Sequence, residues 1–110
     1  MAIPKLDHFI DGAPVAPSGG EYIEVENPAT GEIIAQVASG TEQDVDRAVA
    51  AAQRALHDPA WRNMTPHDRS ALLSQFIGVL QQNAQELAYL EVTSSGGTLS
   101  RVSNLDFLLI

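Results

Sequence analysis

Two hydrophobic periods divide the chain. In Tyr22-Ile23-Glu24-Val25-Glu26 carboxylates alternate with apolar residues, the period of a half-buried strand. Pro28 blocks continuation of that strand, Asn27-Pro28-Ala29-Thr30-Gly31 supplies a turn, and Glu32 to Val37 reads as the returning strand. Upstream, Phe9-Ile10-Asp11-Gly12-Ala13-Pro14-Val15 sets an Asp-Gly pair between short apolar runs and predicts a hairpin. Residues 1–39 are therefore expected to form a small antiparallel hairpin or meander, marginal by itself.

From Gly40 the period lengthens. Thr41 is an N-cap with Asp44 three residues on, and Val45, Ala48, Val49, Ala52 and Leu56 fall on one helical stripe that ends at Asp58-Pro59. Thr65-Pro66-His67-Asp68 starts a second helix with a cap, a proline at the first helical position and an acid at the third. Its apolar face is Leu72, Leu73, Phe76, Ile77 and Leu80. Asn83 with Glu86 reads as another capping box after a short break, opening a third helix with Leu87 and Leu90 that Ser94-Ser95-Gly96-Gly97 stops. A fourth amphipathic helix is predicted from Thr98, with Val102, Leu105, Phe107, Leu108, Leu109 and Ile110. That run carries no terminal cap, so the expectation is a truncated chain or one that completes itself on a partner.

The order of elements is α+β: a strand segment over 1–39, then about four helices over 40–110. At 110 residues the chain has the length of one domain, able to bury roughly 65% of its unfolded surface by general scaling. Fourteen acidic against six scattered basic residues leave a net charge of −8, which argues against a nucleic-acid partner or an anionic membrane surface. No run approaches the ~20 apolar residues of a membrane span, and the first residues lack a signal-peptide core, so a cytoplasmic location is expected. The absence of cysteine removes disulfides, thiolate metal sites and a nucleophilic thiol from this chain.

Candidate chemistry is sparse. His8, His57 and His67 each have an acidic neighbour but share no i, i+4 spacing, so surface or capping roles are expected rather than metal binding. Asp44 and Asp46 lack the remaining calcium-loop residues and read as charge at a helix N-terminus. Gly96-Gly97 has no strand before it and no lysine after it, so it reads as a helix stop rather than a phosphate cradle. No serine stands in a nucleophile-elbow context. No residue is assigned a catalytic, cofactor-binding or metal-ligating role.

The ordered series nevertheless resembles one family. Phe9-Ile10-Asp11-Gly12, Asn27-Pro28-Ala29-Thr30-Gly31-Glu32, Ala35-Gln36-Val37-Ala38, Asp44-Val45-Asp46 with Ala48 to Ala52, Pro59-Ala60-Trp61-Arg62 and Glu86-Leu87-Ala88 look like the amino-terminal region of the NAD(P)-dependent aldehyde dehydrogenases. The resemblance implies that the turn joins the first strands of a segment packed on a Rossmann-like cofactor-binding α/β domain, with the helices arranged around its sheet. It implies an oxidoreductase acting on an aldehyde, with NAD or NADP as cofactor and a homo-oligomeric state when intact. The family's chemistry uses a cysteine thiolate, hydride transfer to nicotinamide and a glutamate base. With no Cys and no downstream glycine motif, this chain is expected to lack the catalytic domain, to hold no cofactor and to be inactive alone.

Some members bind a structural cation near the positions of Val25 and Glu26 with an acid at the position of Ser94, and Ser94 departs from that acid. The final helix in some members lines the substrate tunnel, which would place Leu105 and Leu109 near an aldehyde's apolar tail. By periodicity alone the two read first as plain core leucines. The alternative to a dehydrogenase fragment is a stand-alone acidic helical interaction module that binds a protein partner through exposed apolar faces.

Overall fold

The computed structural model describes residues 2–102. It divides into two compact units, one formed by the residues up to Val25 together with Ile33–Asn63, the other by Glu26–Glu32 and the residues from Met64 onward. Strands followed by helices make the chain α+β, as its hydrophobic periods predict.

Except for Glu26 at the end of β4, the first unit holds the strands β1 (Lys5–Leu6), β2 (His8–Ile10), β3 (Ala13–Val15), β4 (Tyr22–Glu26) and β5 (Ile33–Ala38), followed by helices α1 (Glu42–His57) and α2 (Pro59–Arg62). The β2–β3 hairpin forms where expected, with Phe9 opposite Pro14 and Ile10 opposite Ala13. Its two turn residues, Asp11 at φ 57° and Gly12 at φ 78°, both occupy the left-handed region. Asp and Gly tolerate that region best, and it matches the turn to the strand twist.

The strand segment is not one antiparallel unit. It splits into the β2–β3 pair and a three-stranded sheet of order β1-β5-β4, in which β1 runs parallel to β5 with Lys5 opposite Gln36 and Leu6 opposite Val37. A two-residue strand has no measurable period, which is why β1 escapes a reading based on alternation.

Helix α1 starts and stops as its caps dictate. Thr41 accepts from the backbone N–H of Asp44 while the Asp44 side chain returns to the Thr41 backbone, a complete capping box, and Asp58 before Pro59 ends the helix. Asp58 then caps the single turn of α2 through a 2.8 Å bond from Ala60 N–H. The inward residues of α1 are Asp44 and Ala51. Its predicted stripe of Val45, Ala48, Val49, Ala52 and Leu56 is exposed. The helix is oriented by the polar anchorage of Asp44, described below, and by its contact with β2.

The second unit contains α3 (Pro66–Gln82), α4 (Ala84–Ser95) and α5 (Leu99–Arg101), with the turn Glu26–Glu32. Thr65 and Asp68 form the second capping box and Pro66 takes the first helical position. The break at Asn83 is present, but the predicted Asn83–Glu86 box is not: Asn83 makes no side-chain cap and donates its amide to Val79 O at 2.8 Å. Asn83 closes α3 as well as opening α4, and its backbone, at φ −106° and ψ 13°, is not in the extended conformation from which an N-cap side chain reaches the following N–H groups. Thr98 caps α5, and Val102 beyond it is 1% exposed. The remainder of the predicted fourth helix, including Leu105 and Leu109, lies outside the described residues.

The Asn-Pro-Ala-Thr-Gly turn is locally self-contained. Asn27 O accepts from Gly31 N–H at 2.8 Å and from Thr30 N–H at 3.2 Å, and the Asn27 side chain accepts from Ala29 N–H at 2.9 Å. Its proline also faces the end of α4. Gly96 caps that helix in the left-handed region at φ 74°, and a Cβ placed there would come 2.7 Å from Pro28 Cγ. Position 96 thus needs glycine twice, for its backbone and for the space that Pro28 occupies.

Gly96→Ala is therefore expected to destabilise the chain by about 1–3 kcal/mol. A thermal melt followed by far-UV dichroism reads this as a lowered midpoint, whereas Gly78→Ala, inside α3 with open space around it, leaves the midpoint unchanged or raised.

Candidate functional site

The most elaborate polar arrangement is centred on Asp44, whose residue exposure is only 3%. Its carboxylate accepts from Ser18 N–H on both oxygens at 3.2 Å, from Ser18 Oγ at 3.1 Å, and from Thr41 N–H at 3.1 Å and Thr41 Oγ1 at 3.0 Å. His8 Nε2, buried and without a hydrogen-bond partner among the described residues, stands 3.6 Å from Asp44 Oδ2. One side chain therefore joins β2, the loop around Ser18 and the start of α1. The bonds from Thr41, chiefly that of its backbone, and those from Ser18 outweigh burial and lower the Asp44 pKa from 3.8 to about 2.

This arrangement is built for holding, not for reacting. Ser18 and Thr41 each donate to the carboxylate through backbone and side chain, which stabilises the ionised form and leaves it a poor base. No thiol, metal-ligand cluster or activated hydroxyl stands beside it: among the described residues no group of three His, Cys, Asp or Glu side chains could hold a metal ion. His57 bonds Gln53 O through Nδ1 at 2.7 Å, within its own helix, and His67 is exposed in the first turn of α3. The three histidines are not brought together as ligands.

Nor do these residues fit a dinucleotide. A phosphate cradle needs a glycine turn between a strand and a helix. Gly96-Gly97 instead follows α4, and Pro28 fills the space in front of Gly96. Ser94 Oγ donates to Leu90 O at 2.7 Å, so its hydroxyl is engaged by its own helix.

What the surface offers is apolar area. Among the described residues the buried hydrophobic side chains are Ala51, Ala88 and Val102. Phe9 is 75% exposed, Tyr89 67%, and Leu73 and Phe76 57% each, while Val45, Val49, Leu56, Val79, Leu90 and Leu99 are also exposed. In the first unit an open groove of about 360 Å³ lies between the hairpin residues Phe9 to Gly12 and the alanines of α1. Asp11 at this groove pairs with Arg54 at 2.8 Å. In the second unit the broad face of α3 that carries Leu72, Leu73, Phe76 and Val79 stays open. Continuous apolar faces of this kind mark surfaces that pack against another body. Helical periodicity identified the stripes themselves.

Comparison with known proteins gives the surface a context. The sequence model of the aldehyde dehydrogenase family matches residues 15–108. The chain is 41% identical over 98 residues to the aminoacetaldehyde dehydrogenase of Pseudomonas aeruginosa, covering 89% of this chain and 20% of that protein. It is 42% identical over 95 residues to betaine aldehyde dehydrogenase 1 of Rhizobium meliloti, covering 86% and 19%. Among solved structures, the indole-3-acetaldehyde dehydrogenase of P. syringae in complex with NAD+ and IAA superposes with a TM-score of 0.89 at 35% identity, over 98% of this chain and 22% of that one. The chain spans about one-fifth of the length of the curated relatives it matches.

Asp44 generates a prediction of its own. A depressed carboxylate pKa contributes stability that is present above the ordinary value and lost as pH falls through the folded one, so the contribution should disappear between about pH 4 and pH 2. Asp44→Ala is expected to remove this part of the acid-unfolding transition and to lower the melting temperature near neutral pH, read by far-UV dichroism against pH. Asp46→Ala, one turn-residue away but outside the carboxylate's network, should leave the transition in place.

Proposed function

Because the chain belongs to the aldehyde dehydrogenase family, we propose that it is the amino-terminal portion of an NAD(P)-dependent oxidoreductase that converts an aldehyde to a carboxylic acid. The observation that carries this reading is the match over residues 15–108 to proteins about five times longer. The exposed faces of α1, α3 and α4 support it, since they are the surface such a portion would present to the rest of the polypeptide. In this reading residues 1–110 build the flank of a Rossmann-like cofactor-binding domain, and the nucleophile and nucleotide site lie in the remainder. The chain has no Cys to supply the thiolate.

The intact protein acts as a homo-oligomer in the cytoplasm, with an aldehyde as its substrate and neither nucleic acid nor membrane as a partner. The net charge of −8 supports the absence of a nucleic-acid partner. Among the described residues no helix is long and apolar enough to cross a membrane. Should Leu105 and Leu109 line the substrate tunnel, truncating them to alanine in the intact enzyme would raise KM for long-chain aldehydes more than for short ones.

The 110-residue chain alone is expected to produce no NADH or NADPH from any aldehyde. Co-expressed with the remaining four-fifths of a relative such as the aminoacetaldehyde dehydrogenase of Pseudomonas aeruginosa, it should co-purify with that part and yield aldehyde-dependent NADH formation. A compact, non-associating monomer with a cooperative melt, indifferent to that part, would sink the reading and favour the stand-alone interaction module.

A further inference from the structure

Strand β1 is held by very little main chain. It has two residues, both exposed, and beyond its parallel pairing with β5 the backbone bond from Gln36 N–H to Pro4 O at 2.9 Å anchors it. Parallel ladders this short contribute little, and an edge strand with so few bonds opens readily. Its side chains supply the rest. Lys5 Nζ lies 3.7 Å from the centroid of the Tyr22 ring, and Tyr22 OH donates to Asp7 Oδ1 at 2.5 Å. Tyr22 belongs to β4, and β5 lies between β4 and β1 in the sheet. Lys5 and Asp7, two residues apart and so on one face of an extended chain, both cross β5 to reach one ring.

We propose that β1 is a releasable strap over the outer edge of β5, fastened by Tyr22. With the Tyr22 clasp closed, a cation on the ring face and a charged acceptor at its hydroxyl hold the strap from both sides. With it open, Gln36 N–H loses its Pro4 acceptor and the outer edge of β5 is left exposed to solvent. The clasp joins the two outer strands and spares the central one, so it controls β1 without being needed for the β4–β5 pairing. That pairing has its own marker, the bond from Ser39 N–H to Glu21 O at 2.9 Å.

Amide hydrogen exchange on the chain reads both strands at once. Tyr22→Leu is expected to speed exchange at Gln36 about tenfold, the effect of losing one charge-assisted hydrogen bond, while Ser39 exchanges as before. The double variant Lys5→Met with Asp7→Ala, which leaves Tyr22 and its packing on β4 in place, should reproduce the acceleration at Gln36. The proposal is overturned if Gln36 and Ser39 accelerate together, if Gln36 is unaffected by either variant, or if Gln36 is unprotected in the unsubstituted chain.

Discussion

The carboxylate of Asp44 is the point on which the first unit is assembled. Its bonds close the N-terminus of α1 through Thr41, tie down the loop at Ser18 and place His8 of β2 against the helix. Three segments distant in sequence converge on two oxygen atoms. Burying a charge is unfavourable unless donors replace its lost water, and Ser18 and Thr41 each supply a backbone and a side-chain donor. Because that geometry is directional, it dictates which side of α1 faces the strands. The apolar stripe through Val45, Val49 and Leu56 is turned away as a consequence.

The second unit depends on shape instead of charge. Its tightest requirement is the left-handed Gly96 against Pro28, where the end of α4 meets the turn between β4 and β5. That contact explains why a turn of such specific composition precedes a helical region: the turn is a packing surface as well as a reversal of the chain. Around it the helices bury little. Ala88 is the inward residue of α4 and no side chain of α3 is fully buried, so the large residues of both helices remain available to another body.

These features fit one physical picture. Caps, turns and glycine stops specify each element locally, with hydrogen bonds that close within a few residues. Packing between elements is the part that stays incomplete, and hydrophobic burial is the largest stabilising contribution in folding. In a chain that spans about one-fifth of the length of the relatives it matches, the local structure is encoded within each element, while the helix faces among the described residues stay uncovered.

Much of the local structure was legible in the residues. Thr41 with Asp44, Thr65-Pro66 with Asp68, Asp58-Pro59, Asp11-Gly12 and Gly96 each mark a boundary that the structure places at the same position, because each acts on backbone groups three or four residues away. The ordered motifs from Phe9 to Glu86 likewise carried the family. What depended on distant partners was not legible. Asn83 offered the same capping pattern as Thr65 but gave its amide to Val79, and its backbone, shared by the ends of two helices, lacks the extended conformation that Thr65 has. The parallel pairing of β1, the clasp of Lys5 and Asp7 on Tyr22, the gathering of His8 and Ser18 around Asp44, and the outward turn of the α1 stripe were decided by tertiary structure alone. A side chain's periodicity states which residues share a face, but only the fold states what that face meets.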